Sequence, residues 1–290
     1  MIERFVEVDG VRLRTVVDGP AGPPVVVLHG GPGLPDYTAP LARLLDDVCR
    51  VHRYDQRGAG RSDRTPPWTL ARLVADLDGL RNAWGFERWH VVGHSWGATL
   101  GLLYALEHPA RTTSLSYLSG TGLAWHRWVD AFRDEQRRRL TTTERRRLDL
   151  LRARQRGPDE EVERFTLELR ADSLDPDAAH EAIAALATTL AAGFRPDVNH
   201  RLNRQLEALD EHELERRCAA LTEVPVLVVH GREDPRPAAA VEGLVAALPR
   251  VRYHLLDAGH ELWHEQPAQL AQLLRGLLLG LNGPSVAPRA

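Results

Sequence analysis

The stretch VVGHSWGATLG, residues 91–101, decides how this sequence folds. Ser95 lies in it between two glycines, after a short apolar run and before apolar residues at helical spacing. A short apolar run is typical of a buried strand, and apolar residues three and four apart are typical of a helix. The stretch therefore predicts a strand, a tight turn at Ser95 and a helix.

Strand–helix alternation continues on both sides of this stretch. Residues 3–9 and 11–18 alternate apolar and polar around an Asp-Gly pair, which predicts a β-hairpin. Short apolar runs predict further strands at 25–29, 48–55, 88–93, 112–119, 224–231 and 251–256. Helical spacing predicts helices at 37–47, 69–84, 96–109, 238–248 and 265–280. This order predicts an α/β fold with a mostly parallel, doubly wound sheet and an N-terminal β-hairpin.

Residues 122–221 differ in character from the rest of the chain. They are rich in Arg, Glu and Ala and show helical periodicity without a convincing strand, so we expect an all-helical insertion, called the cap here. Its most charged part, residues 133–156, interleaves acids with arginines, which favours a solvated helical pair over a nucleic-acid site. The predicted organisation is a core at 1–121 and 222–282, the cap at 122–221, and a flexible tail at 283–290.

Composition narrows the classes of partner. The chain has 290 residues, is 43% hydrophobic and carries a net charge of −3, which argues against nucleic-acid or anionic-membrane binding. Two distant cysteines and a start without an apolar leader segment predict a reduced, cytoplasmic setting. No metal-binding motif or Cys/His cluster is present, so we expect no metal and no cofactor.

Residues Gly93 to Gly97 match the pattern G-x-S-x-G in the strand–turn–helix context that this motif needs. Glycines on both sides avoid Cβ clashes in a strained turn. The start of the following helix favours negative charge developing on a nearby oxygen. We therefore predict that Ser95 is a nucleophile; the alternative is a structural serine at a turn.

A nucleophilic serine needs a base that a third group holds in place. With this motif the partners follow in the order serine, acid, histidine, at the ends of later strands. The loop GREDPRP supplies Asp234 and its neighbour Glu233, and the loop DAGHELWHEQP supplies His260 with His264 as a competitor. We predict Asp234 and His260, against the plain alternatives of a turn-forming aspartate and an ordinary loop histidine.

Two backbone N–H groups are needed to stabilise an oxyanion next to Ser95. One is predicted at Trp96, the residue after the nucleophile, and the other in the loop HGGPG, where Gly30 and Gly31 let the backbone approach a substrate. Pro32 cannot donate, and we select Gly31 as the second donor and Gly30 as a substrate-binding position. The loop lacks the glycine pattern of a nucleotide site.

Five motifs together resemble the α/β-hydrolase fold, and more narrowly its proline iminopeptidase branch: HGGPG at 29–33, DQRGAGRS at 55–62, GHSWGATLGL at 93–102, GREDP at 231–235 and GH at 259–260. The resemblance covers the core and implies a triad of Ser95, Asp234 and His260, with oxyanion donors at Gly31 and Trp96. The branch splits an N-terminal proline or similar residue from small peptides.

The resemblance also implies roles for side chains around the site. Cap glutamates of this branch bind the free amino end of the substrate, but residues 195–203 do not carry the corresponding pattern. Glu163, Glu168 and Asp172 remain open as substitutes.

Four more side chains carry expectations of their own. Trp125 and Trp128, near the start of the cap, are apolar candidates for substrate binding, with plain packing as the alternative. Asp55 and Arg57, in the motif DQRG, are expected to form a buried ion pair beside the site.

The predicted function is therefore a serine hydrolase that acts by acyl transfer on a small molecule or short peptide. Three functions remain as alternatives. The first is an exopeptidase, the second is an esterase, amidase or acyl-transfer enzyme that acts on a small metabolite, and the third is a non-catalytic binding protein. Acidic cap residues facing Ser95 would favour the peptidase, and an apolar cap would favour an ester or acyl substrate. The serine argues against dehalogenases and epoxide hydrolases of this fold, which use aspartate. The oligomeric state is not predicted.

Overall fold

An eight-stranded sheet forms the centre of residues 1–280, the part of the chain that the computed structural model describes. Its spatial order is β1-β2-β4-β3-β5-β6-β7-β8. The strands are β1 (Ile2–Val8), β2 (Val11–Asp18), β3 (Pro24–Leu28), β4 (Arg50–Tyr54), β5 (Trp89–His94), β6 (Thr112–Leu118), β7 (Val226–Gly231) and β8 (Val251–Leu256). The pairs β1–β2 and β2–β4 are antiparallel and every other neighbouring pair is parallel, which confirms the predicted fold class. The tail predicted at 283–290 lies outside the described residues.

Twelve α-helices accompany the sheet within residues 1–280. They are α1 (Ala39–Arg43), α2 (Leu70–Ala83), α3 (Trp96–Glu107), α4 (Val129–Arg139), α5 (Thr142–Arg152), α6 (Pro158–Asp172), α7 (His180–Gly193), α8 (Pro196–Glu207), α9 (Glu211–Ala219), α10 (Ala239–Ala247), α11 (Leu262–Glu265) and α12 (Pro267–Leu278). Each helix of this part is too short or too polar to cross a bilayer.

Both faces of the sheet are covered, as the continuous apolar strands require. Along β3, Val26 and Leu28 pack into the apolar cluster shared with α2, α3 and α10, and Val25 and Val27 pack into the one shared with α1 and α12. Alternate residues of a strand point to opposite faces, so a strand with helices on both sides must be apolar throughout. This explains why β3 reads as an unbroken apolar run.

The N-terminal hairpin turns at Asp9 and Gly10. Both residues have positive φ, at 48° and 72°, and Val8 pairs with Val11 across the turn. A two-residue loop with positive φ at both positions matches the right-handed twist of the strands, and Asp-Gly is among the pairs that adopt it most readily. The expected hairpin is confirmed.

Residues 122–221 contain helices α4 to α9 and no strand. Leu140, Leu148 and Leu151 form a small apolar cluster inside this region with residues of α6. Val198 and Leu202 of α8 join a main core cluster instead. The cap therefore packs on the core while holding a small core of its own; its exact bounds as a domain stay a prediction.

Two helices differ from the sequence prediction in length. The helix expected at 37–47 is regular only as α1, and a series of turns follows it. The helix expected at 265–280 is regular as α12, which begins at Pro267, and the short helix α11 precedes it. Proline has no N–H to donate to a preceding turn, so it begins a helix more readily than it continues one.

The expected ion pair between Asp55 and Arg57 is wrong. Arg57 binds Asp76 of α2 instead, with Nε–Oδ2 and Nη2–Oδ1 distances of 2.6 and 2.7 Å. The Asp55 carboxylate accepts the backbone N–H groups of Asp36 and Arg61, at 2.7 and 2.9 Å. Asp55 is therefore occupied in joining two loops, and Arg57 turns away from it toward α2.

The Arg57–Asp76 pair gives a test of core stability. Replacing Asp76 with alanine leaves a guanidinium that is only 2% exposed without its carboxylate. Breaking a buried pair in this way costs about 3–5 kcal/mol, so we expect the free energy of unfolding to fall by that amount in urea titrations. The control is Asp47→Ala, which removes a largely exposed partner of Arg275 and should cost less than about 1 kcal/mol. Equal losses in the two variants would contradict this prediction.

Candidate active site

Ser95 occupies a strained turn between β5 and α3. Its φ and ψ are 57° and −123°, a backbone conformation that residues with a Cβ rarely adopt. The Ser95 N–H donates to the Leu118 carbonyl at 2.8 Å, and the Ser95 carbonyl accepts from Ala98 at 3.0 Å. These backbone bonds hold the turn, and the Ser95 side chain lines a cavity above the sheet edge.

Glycines at both ends of the turn allow α3 to pack directly on the sheet. A Cβ built on Gly93 would overlap the carbonyl oxygen of Gly97, and one built on Gly97 would overlap the carbonyl oxygen of Leu28. Neither obstacle is a flexible side chain that could move aside. The two glycines of G-x-S-x-G are therefore required by backbone contact.

His260 and Asp234 come together from two neighbouring strand ends. Asp234 follows β7, His260 follows β8, and His260 Nδ1 lies 2.6 Å from Asp234 Oδ2. Both side chains are buried. The second oxygen of Asp234 accepts the backbone N–H of Arg236 at 2.9 Å and its Nη1 at 3.1 Å. His260 lines the same cavity as Ser95.

The charges around this pair assign its protonation. Burial raises the pKa of Asp234, but His260 and Arg236 outweigh it and hold that pKa well below the usual range. Burial and Arg236 lower the pKa of His260, and the Asp234 carboxylate outweighs them, so the net pKa of His260 is raised. Asp234 is therefore ionised and accepts the Nδ1 proton, which leaves His260 Nε2 as the basic nitrogen.

The two competing residues lie elsewhere. Glu233 is directed to Arg139 of the cap, with an Nη2–Oε2 distance of 3.4 Å. His264 is exposed on α11 and lines a smaller neighbouring cavity. The structure thus brings Asp234 and His260 together and does not bring Glu233 or His264 to them.

The predicted oxyanion donors lie on the two backbone segments beside Ser95. Trp96 is the first residue of α3, and the first N–H groups of a helix have no acceptor within the helix. Gly31 lines the cavity and has φ 129°, which only glycine adopts readily. Gly30 does not line the cavity, and its N–H donates to Tyr37 Oη at 3.0 Å.

A buried chain of hydrogen bonds behind the site went unseen in the sequence. Tyr37 Oη lies 2.8 Å from His94 Nδ1, and His94 Nε2 lies 3.0 Å from the His260 carbonyl oxygen. Burial holds the pKa of His94 well below its usual value, so the ring is neutral and has one N–H. A carbonyl can only accept, so Nε2 donates to His260 and Nδ1 accepts from Tyr37. The chain joins the loop of Gly30 to the loop of His260.

Gln56 gives the motif DQRG a structural role. Its Nε2 donates to the His29 carbonyl at 2.9 Å, and its Oε1 accepts from Trp96 Nε1 at 2.9 Å. Its backbone N–H donates to His29 Nε2 at 3.0 Å. One side chain therefore ties the start of the oxyanion loop to the residue after Ser95.

The cavity above Ser95 measures about 220 Å³ and lies between core and cap. Apolar cap residues Phe165, Leu169 and Phe194 line it, and so do the cap carboxylates Glu168 and Asp172. Two of the three open candidates thus reach the site.

Three other cap residues singled out in the sequence do not line this cavity. Glu163 pairs with Arg147, with an Oε2–Nη2 distance of 2.6 Å. Trp125 packs on Phe132, with ring centroids 5.5 Å apart. Trp128 is half-buried where α4 begins. The structure therefore does not bring Trp125 or Trp128 to Ser95.

Comparisons with known proteins agree with this geometry. The alpha/beta hydrolase fold family model matches residues 23–267, and the chain belongs to that family. Within the family it is similar to proline iminopeptidases. The probable proline iminopeptidase of Leptolyngbya boryana is 31% identical over 276 residues, covering 84% of this chain and 83% of the relative. The expected resemblance is confirmed, and the chain is a proline iminopeptidase-like alpha/beta hydrolase.

Other matches are narrower or more distant. The proline iminopeptidase of Xylella fastidiosa (strain 9a5c) is 50% identical over 102 residues, covering 33% of this chain and only 32% of that relative. The crystal structure of proline iminopeptidase from Mycobacterium smegmatis superposes with a TM-score of 0.73 at 27% identity, over 97% of this chain and 100% of the other. The enol-lactonase of Burkholderia xenovorans LB400 shares the fold, with a TM-score of 0.71 at 21% identity over 95% and 100% of the two chains.

Gly97 offers a test of the turn. In Gly97→Ala the new Cβ meets the Leu28 backbone, so we expect a loss of about 1–3 kcal/mol in the free energy of unfolding. Slower labelling of Ser95 by a serine-directed phosphonate probe should accompany it. Gly243→Ala is the matched control, because Gly243 also lies in a helix and a Cβ there meets nothing within 4 Å. That control should be neutral or stabilised by up to about 1 kcal/mol. A Gly97→Ala protein as stable and as reactive as the control would refute the backbone argument.

Proposed function

We propose that this chain is a serine hydrolase that removes an N-terminal proline or similar small residue from short peptides. The observation that carries the proposal is the 2.6 Å contact between His260 Nδ1 and Asp234, beside the cavity that Ser95 lines. A buried, oriented histidine next to a serine in a strained turn is the arrangement that nucleophilic acyl transfer needs.

In the first half of the reaction His260 Nε2 takes the Ser95 proton as Ser95 Oγ attacks the substrate carbonyl. Negative charge then develops on the carbonyl oxygen. The N–H groups of Trp96 and Gly31 would stabilise this charge without reorganising, since Gln56 and the backbone of α3 hold both segments in place.

In the second half His260 gives its proton to the leaving amine, and an acyl-enzyme forms at Ser95. Water then attacks this ester with His260 again acting as the base, and His260 returns the proton to Ser95 Oγ as the bond to the acyl group breaks and the free acid leaves. The ionised Asp234 stabilises the imidazolium that forms in both halves and keeps the ring in the required tautomer. All these steps use residues of the chain and require no cofactor.

The lining of the cavity supports a substrate that is small, partly apolar and positively charged. Phe165 and Phe194 suit an apolar ring. Three carboxyl groups, those of Glu168, Asp172 and Glu261, line the cavity beside two guanidinium groups, those of Arg164 and Arg236, and this excess of acidic groups favours a cation over an anion. A proline residue at the N-terminus of a peptide has both an apolar ring and a protonated amino group. The full-length similarity to proline iminopeptidases supports the same choice.

An esterase or amidase for a small neutral acyl group is the second candidate. The observation in its favour is that most cap residues lining the cavity are apolar, among them Leu186 and Leu190. The two candidates share the Ser95 chemistry and differ only in the acyl group, so one set of substrates separates them.

A substrate panel with Ser95→Ala tests the proposal. We expect the wild-type protein to hydrolyse prolyl and other small aminoacyl arylamides better than short-chain aryl esters. Ser95→Ala should lose at least about 10⁴-fold in kcat on both, because the acyl-enzyme can no longer form. Retained turnover in Ser95→Ala would exclude the mechanism. Wild-type turnover of esters without any aminoacyl amide would exclude the peptidase and favour the second candidate.

The pH dependence of Asp234→Asn tests the role of that carboxylate. The base must be neutral, so kcat/KM should rise with pH as His260 loses its proton. Since ionised Asp234 raises the pKa of His260, asparagine should move this rise to lower pH and lower kcat by about 10⁴-fold.

The control for this measurement is Glu233→Gln, which alters the adjacent carboxylate on the same loop. It should keep both the rate and the pH profile. An unchanged profile in Asp234→Asn, or the same displacement in both variants, would show that Asp234 does not act on His260.

A further inference from the structure

Three carboxyl groups line the cavity, those of Glu168, Asp172 and Glu261. They differ in the hydrogen-bond and ion-pair partners that the protein provides to each of them. Glu168 is held by two arginines, with distances of 2.6 Å to Arg164 Nη1 and 2.8 Å to Arg152 Nη2. Its charge is therefore neutralised before any substrate arrives.

Asp172 is also occupied. One of its oxygens accepts from Gln136 Nε2 at 2.9 Å, and the other lies 3.2 Å from Arg236 Nη1. Arg236 binds Asp234 as well, so this arginine links the cap carboxylate to the carboxylate that holds His260. A substrate cation at Asp172 would compete with that link.

Glu261 is the exception. It directly follows His260, and within residues 1–280 its carboxyl group has no hydrogen-bond partner and no cation within 4.0 Å. One of its oxygens lies within 4.8 Å of ring nitrogens of both His260 and His94. A carboxyl group at a cavity wall without a partner is costly to ionise, and an incoming cation removes that cost.

The chemistry of an aminoacyl substrate restricts where its amino group can bind. A single carbon separates the amino nitrogen from the carbonyl that Ser95 would attack. The binding group must therefore lie beside the nucleophile and the base. Glu261 satisfies this condition, because it lines the same cavity as Ser95 and His260.

We infer that Glu261 binds the protonated amino group of the substrate's first residue and so selects aminoacyl over neutral acyl groups. The inference rests on the proposed function, since it names the group that recognises the substrate of the Ser95 reaction. It assigns this recognition to the loop of the base in the core rather than to the cap carboxylates, which arginines already hold.

Binding at Glu261 should depend on pH. Burial raises the pKa of Glu261 to about 7, against the opposing effect of His260. Charged and titratable groups face Glu261 from two sides. Those on the side of the cavity are His260, Asp234, Asp172, Arg236, His94, Glu168, Arg164 and Tyr37, and those on the other side are His264 and Glu265. Below pH 7 Glu261 is neutral, so KM for a cationic substrate should fall as pH rises through 7. Above about pH 8 the substrate amine itself loses its proton.

The test compares two anilides that differ by one atom. Prolyl p-nitroanilide carries the ring amine, and cyclopentanecarbonyl p-nitroanilide has the same shape without the charge. We expect wild-type protein to prefer the prolyl compound by about 10- to 100-fold in KM, the range for one charge-assisted hydrogen bond. Glu261→Gln should remove most of this preference and flatten the dependence of KM on pH between 6 and 7.5, while Glu261→Asp should keep part of both.

Controls separate this inference from the proposed function. Glu163→Gln makes the same chemical change on α6, at a residue that does not line the cavity, and should keep the preference. Labelling of Ser95 by a phosphonate probe shows that each variant is folded. If wild-type protein hydrolyses the prolyl anilide and Glu261→Gln keeps its preference, the proposed function stands and the inference is wrong. The same holds if Glu168→Gln alone removes the preference. If wild-type protein hydrolyses neither anilide, the proposed function itself fails.

Discussion

The packing of α3 directly on the end of β3 is the constraint on which the site depends. At Gly97 the helix backbone touches the Leu28 carbonyl, so neither element can move without the other. This contact fixes Ser95, which directly precedes the helix, relative to the loop that follows β3 and carries Gly31. The proposed nucleophile and the proposed oxyanion donors are thus aligned by backbone contact before any side chain contributes. Hydrogen bonds then hold the remaining loops in place. They are made by Gln56 and by the chain that runs from Tyr37 through His94 to His260.

Much of the fold was predictable because its signals are local. The buried strand β3 is an unbroken apolar run, the Asp-Gly pair specifies its own turn, and G-x-S-x-G needs only five residues to predict the strained turn at Ser95. The pairing of Asp234 with His260 was predictable for a further reason. In a parallel sheet the carboxyl ends of neighbouring strands meet at one edge, so two loops distant in sequence must lie close together. The order of residues along the chain was enough to select the correct loops.

The features that sequence reasoning missed all depend on the direction in which a side chain or a loop points, which the spacing of residues in the sequence does not determine. Asp55 and Arg57 are two residues apart, yet one joins two loops and the other binds α2, because the loop turns between them. The hydrogen bonds of Tyr37 and His94 join two loops and the end of β5, which have no fixed spacing in the sequence. Helical periodicity in the cap indicates which residues share a face, but not which face covers the cavity. Glu168 and Asp172 reach it from α6, whereas Trp125 and Trp128 lie outside its lining.

The contacts of the cap limit how it could act as a lid. The Asp172 carbonyl accepts the His260 N–H at 2.9 Å, and Asn199 Nδ2 donates to the Pro32 carbonyl at 2.8 Å. The cap thus holds both the loop of His260 and the loop of Gly31. Lifting it would disturb the groups that the proposed reaction needs, so access from the side is favoured over opening of the whole cap. A larger groove shares the lining residues Arg164, Glu168, Phe194 and Asn199 with the cavity, and it provides a route for access from the side. Under the proposed function the first residue of a peptide would occupy the cavity, and the rest would leave through this groove.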